Sequence, residues 1–200
     1  MPTYTPGKLT LAKTSVAADP YYNDTVLLLH GNGTNGSTTI VDSSPTPKTM
    51  TAFNNAQISS EILNPFNRPS SIRLGNNDYI TAPSQQSFNF GTNDFTCESW
   101  VYRVTGPTNT IYGTGAGNPG SFGFYILSDR LRADFYFGSA FNGSSNLPYN
   151  QWFHMAFSRA NNTFRWFLNG VVDMTSIQSG NNHTQSCLLY TSPSPRDATL

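Results

Sequence analysis

The 200-residue chain carries 11 Lys and Arg against 11 Asp and Glu, a formal net charge of zero, and only 11% of its residues are charged, against about 25% in an ordinary domain. No broad basic field is present to gather nucleic acid or anionic lipid. With a mean hydropathy of −0.37 and a longest apolar run of Val26-Leu27-Leu28-Leu29, far short of the ~20 residues that span a bilayer, no membrane insertion is expected.

Ser, Thr and Asn supply about a third of the residues, beside 14% aromatics, 16 Gly and 13 Pro. Strand formers interleaved with turn residues predict an all-β fold. Residues 1–22, with Pro2, Pro6 and Pro20 and no sustained periodicity, read as an N-terminal arm or linker. They lack the apolar stretch after a basic start that marks a secretory signal. Strands are predicted at Thr25–His30, Lys48–Ala52, Ser71–Leu74, Asp78–Ala82 and Asp94–Arg103. Phe122–Leu127 then pairs across Ser128-Asp129 with residues 130–137, placing Phe122, Phe124, Ile126, Leu131, Ala133, Phe135 and Phe137 on an inward face and Arg130, Arg132, Asp134 and Tyr136 on the other. Gln151–Arg159, Thr163–Asn169 and Val171–Met174 make a three-stranded meander whose second turn, Asn169-Gly170, is a strong type I′ signal. About ten short strands at this spacing predict a sandwich of two stacked sheets.

The eleven residues from Cys187 to Asp197 resemble one reading frame of a transposase-type sequencing adapter. Residues 187–200 are therefore expected to be a non-native tail, and the domain to occupy residues 23–186. Cys97 then remains as the one cysteine, with no intrachain disulfide, in a strand where a free thiol is usually a small buried hydrophobe.

Several segments resemble a known family. Thr25-Val26-Leu27-Leu28-Leu29-His30 with Gly33-Thr34-Asn35-Gly36-Ser37-Thr38, Ser70–Ile80, Asp94-Phe95-Thr96-Cys97-Glu98-Ser99-Trp100-Val101-Tyr102, Trp152-Phe153-His154-Met155-Ala156 and Phe167-Leu168-Asn169-Gly170 resemble, in order, the motifs of laminin-G-like, concanavalin A-like jelly-roll domains, and the opening is similar to phage-encoded members. The resemblance implies a two-sheet antiparallel jelly-roll sandwich. It also implies a closing strand after the Asn169-Gly170 motif that is not evident before Ser186, so a truncated domain is expected.

The glycoside hydrolases of this superfamily show a Glu-x-Asp-x-x-Glu run, and none is present. A retaining hydrolase needs two carboxylates ~5–5.5 Å apart, whereas Glu98 stands on its strand with no acid at 96 or 100. His30, His154 and His183 share no metal-ligand spacing. Laminin-G-like domains often hold Ca²⁺, which takes loop oxygens. That implication falls on Asp42 and Asp78, although Asx residues in loops more often simply stabilise turns. Carbohydrate binding calls for exposed rings beside amides and hydroxyls. Tyr112, Tyr125, Tyr136, Phe141 and Tyr149 lie in or beside Asn, Gly and Ser loops that suit it, although aromatics of a sandwich are usually core.

The expectation is a non-enzymatic carbohydrate-binding or adhesion module of a phage tail or bacterial surface protein. Its partners would be a glycan or cell-surface polysaccharide and neighbouring virion or surface proteins, with homo-oligomerisation open and Ca²⁺ as an optional cofactor. A structural or oligomerisation domain of a virion is the alternative, and a glycosidase the lesser one. If the closing strand is missing, a version extended by that strand melts at a higher temperature than the 200-residue chain, and equal thermal midpoints refute this.

Overall fold

Twelve short strands form among the residues described by the computed structural model, which are 19–66, 68–106, 108–114, 121–135 and 140–177. The strands are β1 (Thr51–Phe53), β2 (Gln57–Ser59), β3 (Ser71–Arg73), β4 (Tyr79–Thr81), β5 (Phe95–Tyr102), β6 (Asn109–Thr114), β7 (Phe122–Leu127), β8 (Arg130–Phe135), β9 (Ala140–Asn142), β10 (Trp152–Ala160), β11 (Thr163–Leu168) and β12 (Val171–Ile177).

All pairings are antiparallel. Two four-stranded sheets run β12-β11-β10-β5 and β6-β7-β8-β9, and two small ladders pair β1 with β4 and β2 with β3. Three hairpins close on two-residue turns whose central residues both have positive φ: Ser128 and Asp129, Asn161 and Asn162, Asn169 and Gly170. Their twist matches that of the flanking strands, so the predicted β7–β8 hairpin and the β10–β11–β12 meander form as read.

Strand alternation sends every second side chain of each large sheet into a shared interior. Phe122, Phe124, Ile126, Leu131, Ala133, Phe135 and Phe141 enter from one sheet, and Phe153, Met155, Phe157, Phe164 and Trp166 from the other. Rings meet across the gap: Phe124 stacks on Trp166 at 5.2 Å between centroids, and Phe141 on Phe164 at 4.4 Å. Such pairs add about 0.5–1.5 kcal/mol to their burial. The Trp166 indole N–H, which would otherwise be an unpaired donor in this interior, donates to the Phe141 carbonyl at 3.0 Å. The result is the predicted two-sheet jelly-roll sandwich.

A second apolar cluster of Ile40, Met50, Ala56, Ile58, Ile80, Ala82 and Phe88 lies under the two small ladders. Tyr112 packs against both clusters. Thr25–His30 differs from its predicted strand and makes a single bridge, Leu29 with Asp42.

Two buried arginines secure loops at opposite ends of the β5–β10 pair. Arg159 donates to the Asn93 and Gly91 carbonyls and lies over Phe95 and Phe164. Arg103 donates to Asp129, to the carbonyls of Gly106 and Leu147 and to the Tyr149 hydroxyl. Among the described residues no helix is long and apolar enough to cross a membrane.

Phe157→Ala, which empties the point where both sheets meet, is expected to cost about 3–5 kcal/mol in denaturant unfolding. Ile177→Ala, at a side chain 78% exposed, is expected to stay within about 0.5 kcal/mol.

Candidate functional site

If Phe122, Phe124, Ile126, Leu131, Ala133, Phe135 and Phe141 point inward, their strand neighbours must point out. The register of β6 to β9 then aligns two outward rows across the sheet. Thr110, Tyr125, Arg132 and Asn142 stand side by side in one, and Gly113, Gly123, Asp134 and Ala140 in the other. Four strands span about 14 Å at their usual spacing. The surface is a ridge of hydrogen-bonding side chains along a floor of small ones.

The Tyr125 ring lies over Gly123. A Cβ at Gly123 would stand 3.0 Å from Cε1 and 3.2 Å from Cδ1 of Tyr125, so any larger residue there would push the ring out of this place by a few tenths of an ångström or more. The Tyr125 hydroxyl donates to Asp134. Arg132 Nε donates to the Asp134 carboxylate at 2.9 Å and to the Tyr125 oxygen at 3.0 Å, and one terminal nitrogen donates to Asn142 Oδ1 at 3.2 Å. Among the described residues three of the five Arg132 N–H donors have no partner, and Arg132 is half-buried, as are Tyr125 and Asp134. The arrangement offers a fixed ring surface and a fork of charge-assisted donors. It suits a ligand with both apolar C–H faces and hydroxyl oxygens.

Of the sequence-predicted binding aromatics, Tyr125 is at this surface. Phe141 is 2% exposed and sits in the core, because β9 turns its odd-numbered side toward Phe164. Tyr112 is also interior. Burial, and then the nearby Cys97, raise its hydroxyl well above the usual tyrosine range, and that hydroxyl makes no hydrogen bond among the described residues. Tyr149 is exposed but engaged: its ring lies 4.1 Å from the Arg103 guanidinium and its hydroxyl donates to Asp129 at 2.6 Å. The hydrogen bonds from Tyr149 and Arg103 hold the Asp129 carboxyl below its ordinary value. Tyr136 and the inward-facing Phe137 of the predicted strand lie outside the described residues. Arg132, Asp134, Asn142 and Gly123 were not anticipated as site residues. The alternation of β8 placed Arg132 and Asp134 on the outward face, and the glycine within a strand was a signal for Gly123.

The two carboxylates assigned to Ca²⁺ do not fit a cation site. Asp42 is buried and accepts from the Leu28, Ser44 and Lys48 amides at 3.0, 2.9 and 2.8 Å and from the Ser44 hydroxyl at 2.9 Å, with Lys48 Nζ 3.9 Å away. Asp78 is buried and accepts from the Asn55 and Gly75 amides at 2.9 and 2.6 Å. Both are surrounded by donors where Ca²⁺ needs 6–8 oxygens. Among the described residues no three His, Cys, Asp or Glu side chains gather. Cys97 packs against the core. Burial, with the adjacent Glu98 charge, pushes its thiol up to about 12, which keeps it protonated and unreactive.

Residues 74–194 match the laminin G-type family model described as the concanavalin A-like lectin/glucanases superfamily. No curated protein matches the chain. Among solved structures, the chain is similar to the botulinum neurotoxin serotype C1 binding domain, with a TM-score of 0.62, 17% identity, and coverage of 90% of this chain and 46% of that one. It is also similar to the binding domain of botulinum neurotoxin DC in complex with SialylT, at 0.62, 17%, 87% and 44%. The same binding domain in complex with rat synaptotagmin II gives 0.60, 14%, 86% and 44%. The chain therefore spans less than half the length of these neighbours, and at such identities the likeness is one of fold.

For Asp42, burial raises the carboxyl pKa, but the four hydrogen bonds together outweigh it and hold the group below its ordinary value. The stabilisation is complete above the unfolded value of about 3.9 and is lost as pH falls through the lower folded value. Asp42→Asn is expected to lose about 1.5–3 kcal/mol at pH 7, with the gap to the parent narrowing below about pH 4. A gap independent of pH in urea unfolding contradicts this.

Proposed function

Because the chain belongs to the concanavalin A-like lectin/glucanases superfamily, we propose that it is a non-enzymatic carbohydrate-binding module whose ligand lies along the outer face of β6 to β9. The observation that carries the reading is the ridge Thr110, Tyr125, Arg132 and Asn142 beside the floor of Gly113 and Gly123. A sugar ring stacked on Tyr125 places its hydroxyls against the remaining Arg132 N–H groups and the Asn142 amide. The ring and the guanidinium are already fixed by bonds to Asp134, so little side-chain entropy is lost on binding.

A binder is favoured over a glycosidase by the carboxylate arrangement. The two outward rows hold one carboxylate between them, Asp134, and it already serves Tyr125 and Arg132. Hydrolysis takes two carboxylates facing each other across the bond. The proposed setting is a phage tail or a bacterial surface, where a neutral polar face meets a polysaccharide coat. Two of those neighbours are in complex with SialylT and with rat synaptotagmin II. Those partners are not carried over, since more than half of each neighbour lies beyond the aligned chain.

A scaffold role within a larger assembly is favoured by one observation. Among the described residues β12 lies at the edge of its sheet and carries the exposed apolar side chains Val171, Val172 and Ile177, and the backbone of such an edge can take another strand. Light scattering separates the two, because a stable oligomer without glycan affinity supports the scaffold.

On a glycan array, the chain is expected to retain discrete saccharides. Arg132→Ala and Gly123→Val should weaken retention at least tenfold while the thermal midpoint of Arg132→Ala stays within a few degrees of the parent. A uniformly blank array contradicts the binding reading.

A further inference from the structure

The opposite sheet has an outer face of a different kind. The residues of β5 and β10 that point away from the core are Thr96, Glu98, Trp100 and Tyr102, and Trp152, His154, Ala156 and Ser158. Their register sets Tyr102 against Trp152, Trp100 against His154, and Glu98 against Ala156, with Phe167 of β11 on the far side of Ala156. Rings adjoin along the strip: Tyr102 and Trp152 at 5.6 Å, Trp100 and His154 at 5.3 Å, Phe66 edge-on to Trp100 at 5.5 Å. The Trp152 indole N–H donates to the Leu63 carbonyl at 2.7 Å, holding the segment that carries Phe66 at the rim.

Trp100 remains 41% exposed and Phe66 63% exposed. Beside Trp100, the Glu98 carboxylate lies 3.6 Å from His154 Nε2, with the Glu98 side chain 64% exposed. Ala156, the smallest residue of the strip, stands between Glu98 and Phe167 and is 6% exposed. The combination is an exposed indole, an acceptor and an imidazole.

We propose that this strip is a second saccharide-binding platform for a neutral oligosaccharide, stacking on Trp100 with its hydroxyls on Glu98 and His154 above Ala156. It goes beyond the reading of the β6–β9 face and does not depend on it. A protein occupant fits less well. Leu63, Phe66 and Trp100 are each at most 63% exposed, and even a whole aromatic side chain offers only about 150–250 Å². A stable protein interface takes about 800 Å² per partner. The rows beyond are polar, with Thr96, Ser158, Arg165 and Thr175 aligned across the sheet.

The two faces point away from each other across sheets about 10 Å apart. One short saccharide cannot touch both, and a polysaccharide can be bridged by one chain or held by both faces with a gain in avidity.

Tryptophan emission tests this site separately from the first. Trp100 and Trp152 lie on the strip, whereas Trp166 is sealed in the core at 0% exposure. Cellohexaose, laminarihexaose and maltohexaose are titrated into the full chain. At least one is expected to change the emission saturably, in the parent and equally in Arg132→Ala. Glu98→Gln, an exposed change that leaves the core untouched, is expected to weaken this binding at least tenfold, and Trp100→Ala to abolish it at an unchanged thermal midpoint. A flat trace with all three sugars overturns the proposal. So does a signal lost in Arg132→Ala and kept in Glu98→Gln, or a fall in solution mass by light scattering in Trp100→Ala, which assigns the strip to protein contact.

Discussion

The contact of aromatic side chains between the two large sheets is the constraint from which the rest of the structure follows. Phe157 meets Phe122, Phe141, Phe164 and Trp166 at centroid distances of 6.2, 5.5, 5.7 and 4.7 Å. A one-residue slip of any strand would turn these rings to solvent and bring charged neighbours inward. Inward parity in β7, β8, β10 and β11 is therefore fixed by burial, and outward parity follows with it. Tyr125, Arg132 and Asp134 reach the surface of one sheet, and Trp100, His154 and Glu98 that of the other, because their neighbours are held in the interior.

The same constraint explains where charge is used. With so few charged residues, the buried ones in the described fold hold loops in place. Arg103 and Arg159 lie at the ends of the sandwich and collect carbonyls from segments that have no ladder of their own. Asp42 and Asp78 do the complementary work with amides. Asp173 of β12 accepts from the Ser144 and Ser145 amides at 2.8 and 3.0 Å and so fixes the loop after β9. These carboxylates resemble metal ligands in sequence because a polar loop rich in Asn and Asp is what both uses require. The distinction lies in whether donors or acceptors converge on them, which the linear pattern does not reveal.

The fold was legible wherever alternation was unbroken. Arg130 to Phe135 alternates cleanly and Gln151 to Arg159 does so except at the small Ala156, their turns carry residues that tolerate positive φ, and within the described residues both segments form as read. β6 and β9 were not legible. β6 carries a bulge between Thr110 and Tyr112 and a glycine at 113, which break the period, and β9 is three residues long. The parity of Tyr112 and Phe141 was consequently unknown, and both rings are interior where a sugar-facing role was expected. Tyr125, on a strand whose parity was clear, is at the surface. The exposed loop around Tyr149 suggested an available ring, whereas the guanidinium beneath it depends on Arg103, 46 residues away, a pairing no local pattern contains. The aromatic strip of β5 and β10 was present in the family-like motifs, but its outward direction emerges only from the register of the two strands.

The central claim is that the rows flanking Gly123 form the sugar-contacting surface of the module. Amide chemical shifts of the ¹⁵N-labelled chain, recorded while an array-selected neutral oligosaccharide is added, test it most directly. The account predicts that the largest shifts fall on Gly113, Gly123, Arg132 and Asn142, with those of the core positions Ala133 and Phe157 small. Shifts confined to the loops around Asn35 and Asn76, with the β6–β9 face unmoved, would contradict it.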